Sequence, residues 1–247
     1  MKLRTLRRAV ALGSALILCV LHFWLERLRG PMTLERRARW LQQASRRVLG
    51  SLGIRCRVEG HAPSRGLVVS NHLSYLDILI LSAAMPCFFV SKAEVGGWPY
   101  FGRAARTGGT IFLVRTSRAS AEAAATEIAG RLKLAVPVLL FPEGTSTDGS
   151  QVLPFHTWLF QPAIDAAAPV TPAAVRYVIE GGIAERELCW YGDAPFLPHL
   201  WKALGTKGFL AELRFGAPQI YTDRRAAAAQ TQAAVIAMRQ ECAPPPQ

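Results

Sequence analysis

Six short apolar runs alternate with helical or polar stretches along most of this chain. The runs have the length of β-strands and occupy residues 67–71, 87–92, 109–114, 136–144, 169–178 and 211–216. Between and after them, residues 75–85, 118–135 and 225–240 have a helical composition. Such alternation is typical of an α/β domain whose sheet is buried between helices. We therefore predict a single α/β domain with a mixed, largely buried sheet flanked by helices, for which 247 residues are sufficient.

An apolar segment near the N-terminus predicts a membrane anchor. Residues 9–25 form an apolar run of 17 residues that only Ser14 and His22 interrupt, and basic residues flank it on both sides. No small-x-small cleavage site follows the run, which argues against a removed signal peptide. A helix over this run is about 26 Å long, against a hydrocarbon core of about 30 Å. It could span the bilayer with snorkelling arginines or enter only part of it, and the sequence leaves both open.

A second, basic helix is predicted over residues 33–50. Pro31 ends the first helix, and Thr33 is suited to cap the next one. Apolar residues recur at helical spacing, and arginines cover much of the remaining surface. This pattern fits a helix in the membrane interface, and it also fits a surface helix packed on the domain's own core. We expect residues 1–52 to form the anchor, residues 53–240 the catalytic domain and residues 241–247 a disordered tail.

Positive charge is concentrated beside this anchor. The formal net charge is +12, and residues 1–57 hold 13 lysines and arginines against two glutamates. Basic side chains that flank apolar sequence suit an anionic membrane surface. A membrane-tethered nucleic-acid binder is a competing class, but no nucleic-acid-binding signature is present, so no nucleic-acid partner is expected. The five cysteines are scattered without zinc-site spacing, which predicts reduced thiols in a cytosolic compartment and no metal.

The first motif that carries chemistry follows the apolar run 67–71 and reads NHLSYLD over residues 71–77. On one continuous helix, His72 and Asp77 would point away from each other. Ser74 followed by Asp77 is a helix-capping signal, so a bend at Ser74 would leave His72 in a loop that Asp77 can reach. A carboxylate in that position fixes the tautomer of the imidazole and stabilises its protonated form. The pair is a candidate general base; the alternative is a capped turn with an incidental histidine.

The second motif reads FPEGTSTDG over residues 141–149 and follows the apolar run VPVLL. A carboxylate, glycines and hydroxyl groups at the end of a central strand lie where open α/β sheets bind ligands. The alternative interpretation is a polar turn with Asp148 and Gly149 at its corner.

In order and spacing, the two motifs resemble the glycerolipid acyltransferase family, membrane enzymes that acylate lysophosphatidic acid and related lysolipids. Asn71, His72 and Asp77 match the first block of that family, an H-x4-D motif, and FPEGT matches the third. The segment GGTIFLVR, residues 108–115, looks like the second block. Residues 91–94 and 98–102 resemble the segment after the first block, and residues 169–172 are a looser match to the fourth. The resemblance extends from about residue 50 to residue 215.

The resemblance implies a phospholipid-biosynthetic acyl transfer that needs no covalent acyl-enzyme. His72 would remove the proton from an acceptor hydroxyl, with Asp77 orienting the ring, and the oxygen would attack the thioester of an acyl carrier. The chain contains no GxSxG nucleophile elbow, which agrees with direct transfer.

The resemblance also implies a set of acceptor-binding residues. Glu143, Gly144 and Thr145 would bind the acceptor headgroup, and Arg115 an acidic part of it. Lys92 is a further candidate for the same task, or alternatively a solvated surface lysine.

One position departs from the pattern of lysophosphatidate enzymes. There the FPEGT block usually continues with an arginine, whose guanidinium suits a phosphate monoester. This chain has Ser146, which offers a hydrogen bond but no charge. Lysophosphatidate, which would give phosphatidate, is therefore one predicted acceptor and Ser146 one of its ligands. Lyso-ornithine lipid, whose free hydroxyl is on a fatty chain, is the alternative.

The remaining expectations concern partners and place. No cofactor is predicted; acyl-CoA or acyl-carrier protein would serve as co-substrate. The expected location is a membrane, with the catalytic domain facing the cytoplasm at the inner membrane of a bacterium. Two other classes stay open. A hydrolase with the same His/Asp pair would release free fatty acid, and a non-catalytic lipid-binding protein would be expected to lack His72 or Asp77.

Overall fold

The computed structural model describes residues 2–98, 101–114, 118–179, 181 and 183–241. In chain order the strands are β1 (Ile54–Glu59), β2 (Leu67–Ser70), β3 (Phe88–Lys92), β4 (Ile111–Leu113), β5 (Val138–Leu140), β6 (Val170–Val178) and β7 (Phe209–Phe215). The helices are α1 (Lys2–Leu28), α2 (Leu34–Leu52), α3 (Leu76–Ala84), α4 (Ala93–Gly96), α5 (Phe101–Gly108), α6 (Arg118–Leu132), α7 (Gln161–Asp165), α8 (Phe196–Gly205) and α9 (Arg224–Glu241). Short 3-10 turns cover Thr157–Phe160 and Glu185–Glu187.

The described strands form one mixed sheet in the order β1-β7-β6-β2-β5-β3-β4. Strands β2 to β6 run parallel to one another, whereas β7 is antiparallel to β6 and β1 is parallel to β7. Every residue of β2 and β5 is buried, as expected for central strands with helices on both faces. At the edge, β1 is exposed after its first residue. The predicted mixed and largely buried sheet is confirmed.

Alternate residues of the strands feed two hydrophobic cores on opposite faces of the sheet. Val68, Leu139 and Val175 point to the face that α2, α3 and α8 cover. Val69, Leu140 and Ala174 point to the other face, under α6, α7 and α9. The sheet is thus the middle layer of three, and both of its faces are closed by helices.

Helix α1 packs along its length on the rest of the protein. Near its start, Ala9 and Leu12 lie against the core that α8 also covers, and Arg8 Nη1 donates to the Thr206 carbonyl at 2.7 Å. Near its end, Cys19 is buried with Trp40 of α2. The opposite side of α1 carries exposed leucine, valine, isoleucine and tryptophan side chains. Among the described helices, α1 has the length and composition needed to cross a bilayer, and only its outward side is free to meet lipid.

Helix α2 begins where the sequence predicts. Thr33 Oγ1 accepts from the Arg36 amide at 3.3 Å, and Gly53 ends the helix in the left-handed region at φ +69°. The apolar stripe of α2 is buried against α1, α3 and the sheet. Of the two interpretations, the structure therefore shows the helix packed on the protein. Four of the five arginines of α2 bond groups of the protein itself: Arg36, Arg37, Arg46 and Arg47. The predicted tail beyond Glu241 lies outside the described residues.

Candidate active site

The sheet brings the two sequence motifs together. Strands β2 and β5 are neighbouring parallel strands, so the loops that follow them, residues 71–75 and 141–149, leave the sheet at the same edge. Lys92 ends β3, which lies beside β5, and Arg115 follows β4. The carboxyl ends of parallel strands are where open α/β sheets bind ligands, because loops from several strands meet there.

The predicted contact between His72 and Asp77 is present. Nδ1 of His72 lies 2.9 Å from Oδ2 of Asp77, which belongs to the first turn of α3 and is fully buried. A carboxylate can only accept hydrogen bonds, so Nδ1 carries a proton, and in the neutral ring Nε2 is the nitrogen with the free lone pair. The His72 side chain is 20% exposed, and within the described chain Nε2 has no hydrogen-bond partner. The imidazole is thus oriented to accept a proton from outside.

Backbone amides hold the Asp77 carboxylate in place. Its Oδ2 accepts from the amides of Leu73 at 2.6 Å and Ser74 at 3.0 Å. Helix α3 begins at Leu76, with Tyr75 rather than Ser74 at the capping position. Ser74 Oγ accepts from the Leu76 amide at 3.1 Å. The predicted bend is therefore correct although the helix starts one residue later, and the carboxylate reaches back to Ser74 as in a capping box.

The loop after β5 supports His72 from the other side. The Phe141 ring stacks on the imidazole with centroids 4.0 Å apart and planes 14° apart. The amide of Thr147 donates to the His72 carbonyl at 2.9 Å. Glu143 Oε1 accepts from the His72 amide at 2.8 Å, and its Oε2 from the Leu153 amide at 2.7 Å. His72 is held by both motifs at once.

Each predicted acceptor ligand of the 141–149 loop has a defined position. Burial raises the pKa of the Glu143 carboxyl, and the two backbone amides that it accepts from oppose this. Gly144 is buried at φ +74°, a conformation that favours glycine, and Thr145 is exposed. Ser146 Oγ donates to the Trp190 carbonyl at 2.6 Å. Thr145 is the one that faces solvent, whereas Glu143 and Ser146 bind backbone; their contact with an acceptor stays a prediction.

Two cations, Lys92 and Arg115, are predicted to bind the acceptor. Lys92 is exposed at the junction of β3 and α4. Arg115 lies outside the described residues. Within the described ranges, no group of three His, Cys, Asp or Glu side chains is placed to hold a metal ion.

Tyr177 is a site residue that the sequence analysis missed. It lies on β6, and its buried hydroxyl donates to Oδ1 of Asp77. Burial raises the pKa of Tyr177 well above its usual range, and the Asp77 charge adds to this, so the phenol stays a donor. A buried tyrosine needs a partner for its hydroxyl, but nothing in the sequence indicates which one, because Asp77 is 100 residues away.

A second missed group ties α9 to the site. Arg239 donates to the carbonyls of Val175 and Gly149 and forms an ion pair with Glu185 at 2.8 Å. Asn71 bonds the amide and the carbonyl of the same Val175, at 2.8 and 3.1 Å. Asn71, the residue before His72, is therefore fixed to Val175 of β6, and Arg239 of α9 bonds the same residue.

Aromatic side chains connect the His72 loop to α8. Tyr75 packs against Phe196 with ring centroids 4.9 Å apart, and its hydroxyl lies 3.1 Å from Nδ1 of His199. Trp190 contacts Tyr75 on one side and Trp98 on the other, at 5.8 and 6.0 Å. One flank of the site is thus a wall of rings that continues into α8.

Comparison with known proteins adds four findings. A family model described as acyltransferase matches residues 54–176. The chain is 40% identical over 193 residues to a lyso-ornithine lipid O-acyltransferase of Rhodobacter capsulatus, covering 74% of this chain and 70% of that protein. It is 35% identical over 210 residues to a 1-acyl-sn-glycerol-3-phosphate acyltransferase of Neisseria meningitidis, covering 80% and 81%. The crystal structure of PlsC from Thermotoga maritima, a 1-acyl-sn-glycerophosphate acyltransferase, superposes with a TM-score of 0.70 at 18% identity, covering 99% of this chain and all of that one.

Proposed function

The chain belongs to the acyltransferase family, and from that premise we propose that it transfers a fatty acyl group from an acyl thioester to the free hydroxyl of a lysolipid, with His72 as general base. The observation that carries this assignment is the His72–Asp77 pair, whose Nδ1–Oδ2 bond of 2.9 Å leaves Nε2 open at the edge of the sheet. The protein is an acyltransferase by family; the roles of its residues are our proposal.

The reaction balances with these two residues and the substrates. Nε2 of His72 takes the hydroxyl proton as the oxygen attacks the thioester carbonyl carbon, and Asp77 stabilises the imidazolium that forms. The new C–O bond replaces the C–S bond, and the departing thiolate takes the proton back from His72. Acyl-CoA or acyl-carrier protein would supply the thioester, and no cofactor is required.

The described cysteines support direct transfer over an acyl-enzyme. A nucleophilic cysteine needs a lowered pKa to supply thiolate near neutral pH. Burial instead raises the pKa of Cys87 to about 12. The pKa of Cys189, near Asp77, is also raised, by burial and by the neighbouring carboxylates. Neither of these two thiols is activated as a nucleophile.

We propose lyso-ornithine lipid as the acceptor. Ser146 adds no positive charge to the loop after β5, and its hydroxyl is already bonded to the Trp190 carbonyl. A lysophosphatidate enzyme would be expected to carry an arginine there for the phosphate. Lysophosphatidate is the second candidate, supported by the relative from Neisseria meningitidis and by the predicted cations Lys92 and Arg115.

The place of action is proposed from α1 and from the charge. The outward apolar side of α1 and the arginines of residues 1–57 suit an anionic membrane surface. We place the enzyme on the cytoplasmic side of an inner membrane, where acyl-CoA and acyl-carrier protein are available.

The test is an acyl-transfer assay with purified, detergent-solubilised protein and a radiolabelled acyl thioester. Lyso-ornithine lipid and lysophosphatidate are offered side by side to the intact enzyme, to His72→Ala and to the control His61→Ala. His61 is an exposed histidine outside both motifs. Loss of a general base should lower the rate by about 10²- to 10⁴-fold in His72→Ala alone.

Four outcomes are informative. Acylated ornithine lipid as the main product supports the acceptor assignment. Phosphatidate as the main product would move the assignment to lysophosphatidate and would require another cation near the loop. Near-normal transfer by His72→Ala would contradict the mechanism, and label released as free fatty acid without acceptor would indicate a hydrolase.

A further inference from the structure

Helix α8 carries an apolar surface that the described residues of the chain leave exposed. Its inner side, with His199, Ala203 and Leu204, is buried. On its outer side, Leu197 is 72% exposed and Trp201 is 59% exposed. Because these two residues are four apart in a helix, they lie on the same face, one turn from each other. We call Leu197 and Trp201 the α8 patch.

The α8 patch lies beside the N-terminal half of α1. Arg8 of α1 donates to the Thr206 carbonyl directly after α8 at 2.7 Å, and Arg4 reaches the Gly205 carbonyl at 3.5 Å. Leu200, on the side of α8 next to the patch, packs on the same core as Ala9 and Leu12 of α1. Helix α8 is therefore packed beside the N-terminal half of α1.

The charges around the patch fit an anionic bilayer. Arg4 and Arg7 of α1 and Lys207 after α8 are exposed. Of the acids near α8 in the chain, Glu187 is paired with Lys202 at 2.5 Å, and Asp193 is exposed before the helix begins. A tryptophan on an apolar face with basic residues at its rim is typical of protein segments that lie in the interfacial layer of a membrane.

The patch is also joined to the catalytic loop. Phe196, which begins α8, packs on Tyr75, three residues after His72. His199, one turn further along α8, meets the Tyr75 hydroxyl. A bilayer in contact with the α8 patch would lie next to the loop that holds the His72–Asp77 pair, so a lysolipid could reach His72 without leaving the interface.

We propose that the α8 patch is a second membrane-contact element, which enters the interfacial layer of an anionic bilayer beside α1 and presents the His72 site to membrane-resident acceptor. This inference rests on the proposed function in one respect, the membrane contact of α1. It adds a membrane contact made by the catalytic domain itself. If the α8 patch does not contact the membrane, the proposed acyl transfer still holds.

The test places an environment-sensitive NBD label at single exposed cysteines of the full-length protein. The background is Cys56→Ser with Cys242→Ser; the buried cysteines, whose pKa values burial raises, are not labelled under native conditions. Trp201→Cys reports on the α8 patch and Leu21→Cys on α1. Ile220→Cys is the matched control, because Ile220 is also exposed, at 61%. It follows the bridge between Gln219 and Val170 at the start of β6, at the end of the strands away from the His72 loop.

Vesicles of phosphatidylethanolamine and phosphatidylglycerol are then added to each labelled protein. We expect the label at positions 201 and 21 to shift to the blue, to brighten, and to be quenched by spin-labelled lipid, with no change at position 220. A response at 21 alone would overturn the inference and leave the proposed function intact. No response at 21 or 201 would remove both the membrane contact and the inference, and an equal response at 220 would show adsorption without a defined face.

A kinetic arm uses the unlabelled variant Leu197→Gln with Trp201→Gln. Since the patch acts only at a membrane, the KM for acceptor presented in vesicles should rise about tenfold. The kcat with acceptor dispersed in detergent should equal that of the intact enzyme. Ile220→Gln should leave both values unchanged. An unchanged KM on vesicles in the double variant would contradict the proposal.

Discussion

Replacing Tyr177 by phenylalanine removes the buried hydroxyl of the site and keeps the aromatic ring. The ring keeps its packing against Phe209, with centroids 4.8 Å apart, and only the hydrogen bond to Oδ1 of Asp77 is lost. A hydrogen bond to a charged group contributes about 1.5–3 kcal/mol, and more is lost when the remaining partner is buried without a replacement. Since Asp77 is fully buried, we expect Tyr177→Phe to lower the free energy of unfolding by about 2–3 kcal/mol.

The same change should slow the reaction through the orientation of Asp77. Oδ2 keeps its bonds to His72, Leu73 and Ser74, so the pair survives with one anchor fewer. We expect kcat to fall by about tenfold, well short of the 10²- to 10⁴-fold expected when the base itself is removed. The KM for acceptor should not change, because Tyr177 is buried behind the carboxylate and does not face the substrate.

The assay measures kcat, KM and the urea-unfolding midpoint of Tyr177→Phe beside Tyr221→Phe. Tyr221 is a half-buried tyrosine in the core on the other face of the sheet, so its hydroxyl is remote from the site. A stability loss in Tyr177→Phe with kcat unchanged would refute the positioning role and leave a purely structural one. Unchanged stability together with unchanged kcat would refute the hydrogen bond itself.

Three further predictions concern the groups around the site. Burial raises the pKa of the Glu143 carboxyl above its value in the unfolded chain. The native state therefore keeps this proton to higher pH than the unfolded state does. The free energy of unfolding falls as the pH rises from the unfolded pKa through the folded pKa. Unfolding of Glu143→Gln measured from pH 4 to 8 should lack that decrease. Ser146→Ala removes the bond to the Trp190 carbonyl and should cost about 1 kcal/mol in unfolding free energy with kcat lowered less than about threefold; a loss as large as that of His72→Ala would make Ser146 a direct ligand. Arg239→Met leaves the half-buried Glu185 without its ion pair and should lower the unfolding free energy by about 2–3 kcal/mol, which Arg239→Lys should restore in part.

Local sequence signals predicted the part of the site that depends on residues near one another in the chain. The contact of His72 with Asp77 follows from a helix start between them, and a capping signal marks such a start. The central strands were recognisable because burial on both faces requires continuous apolar runs. Strand β1 was missed because charged residues occupy three of its six positions, and α8 was missed because Pro195 and Pro198 interrupt its pattern.

The contacts that the sequence did not indicate are those that the sheet order creates. Tyr177 meets Asp77 because β6 lies beside β2, and Arg239 meets Val175 because α9 returns over β6. No local pattern specifies which strands are neighbours, so these partners could be identified only from the fold. The bond of the Ser146 hydroxyl to the Trp190 carbonyl is another such contact, and acceptor binding by Ser146 stays a prediction.

These long-range contacts explain how a weakly basic imidazole can be ready before substrate binds. His72 is bonded through its amide to Glu143, through its carbonyl to Thr147 and through its ring to Asp77. The first two partners belong to the loop after β5, and Asp77 belongs to α3. A group held from three directions needs little reorganisation when the acceptor hydroxyl arrives, and preorganisation of this kind is a main source of catalytic rate. The open Nε2 is then the part of His72 that the fold leaves free, which is the arrangement that a direct transfer between two lipid-borne substrates requires.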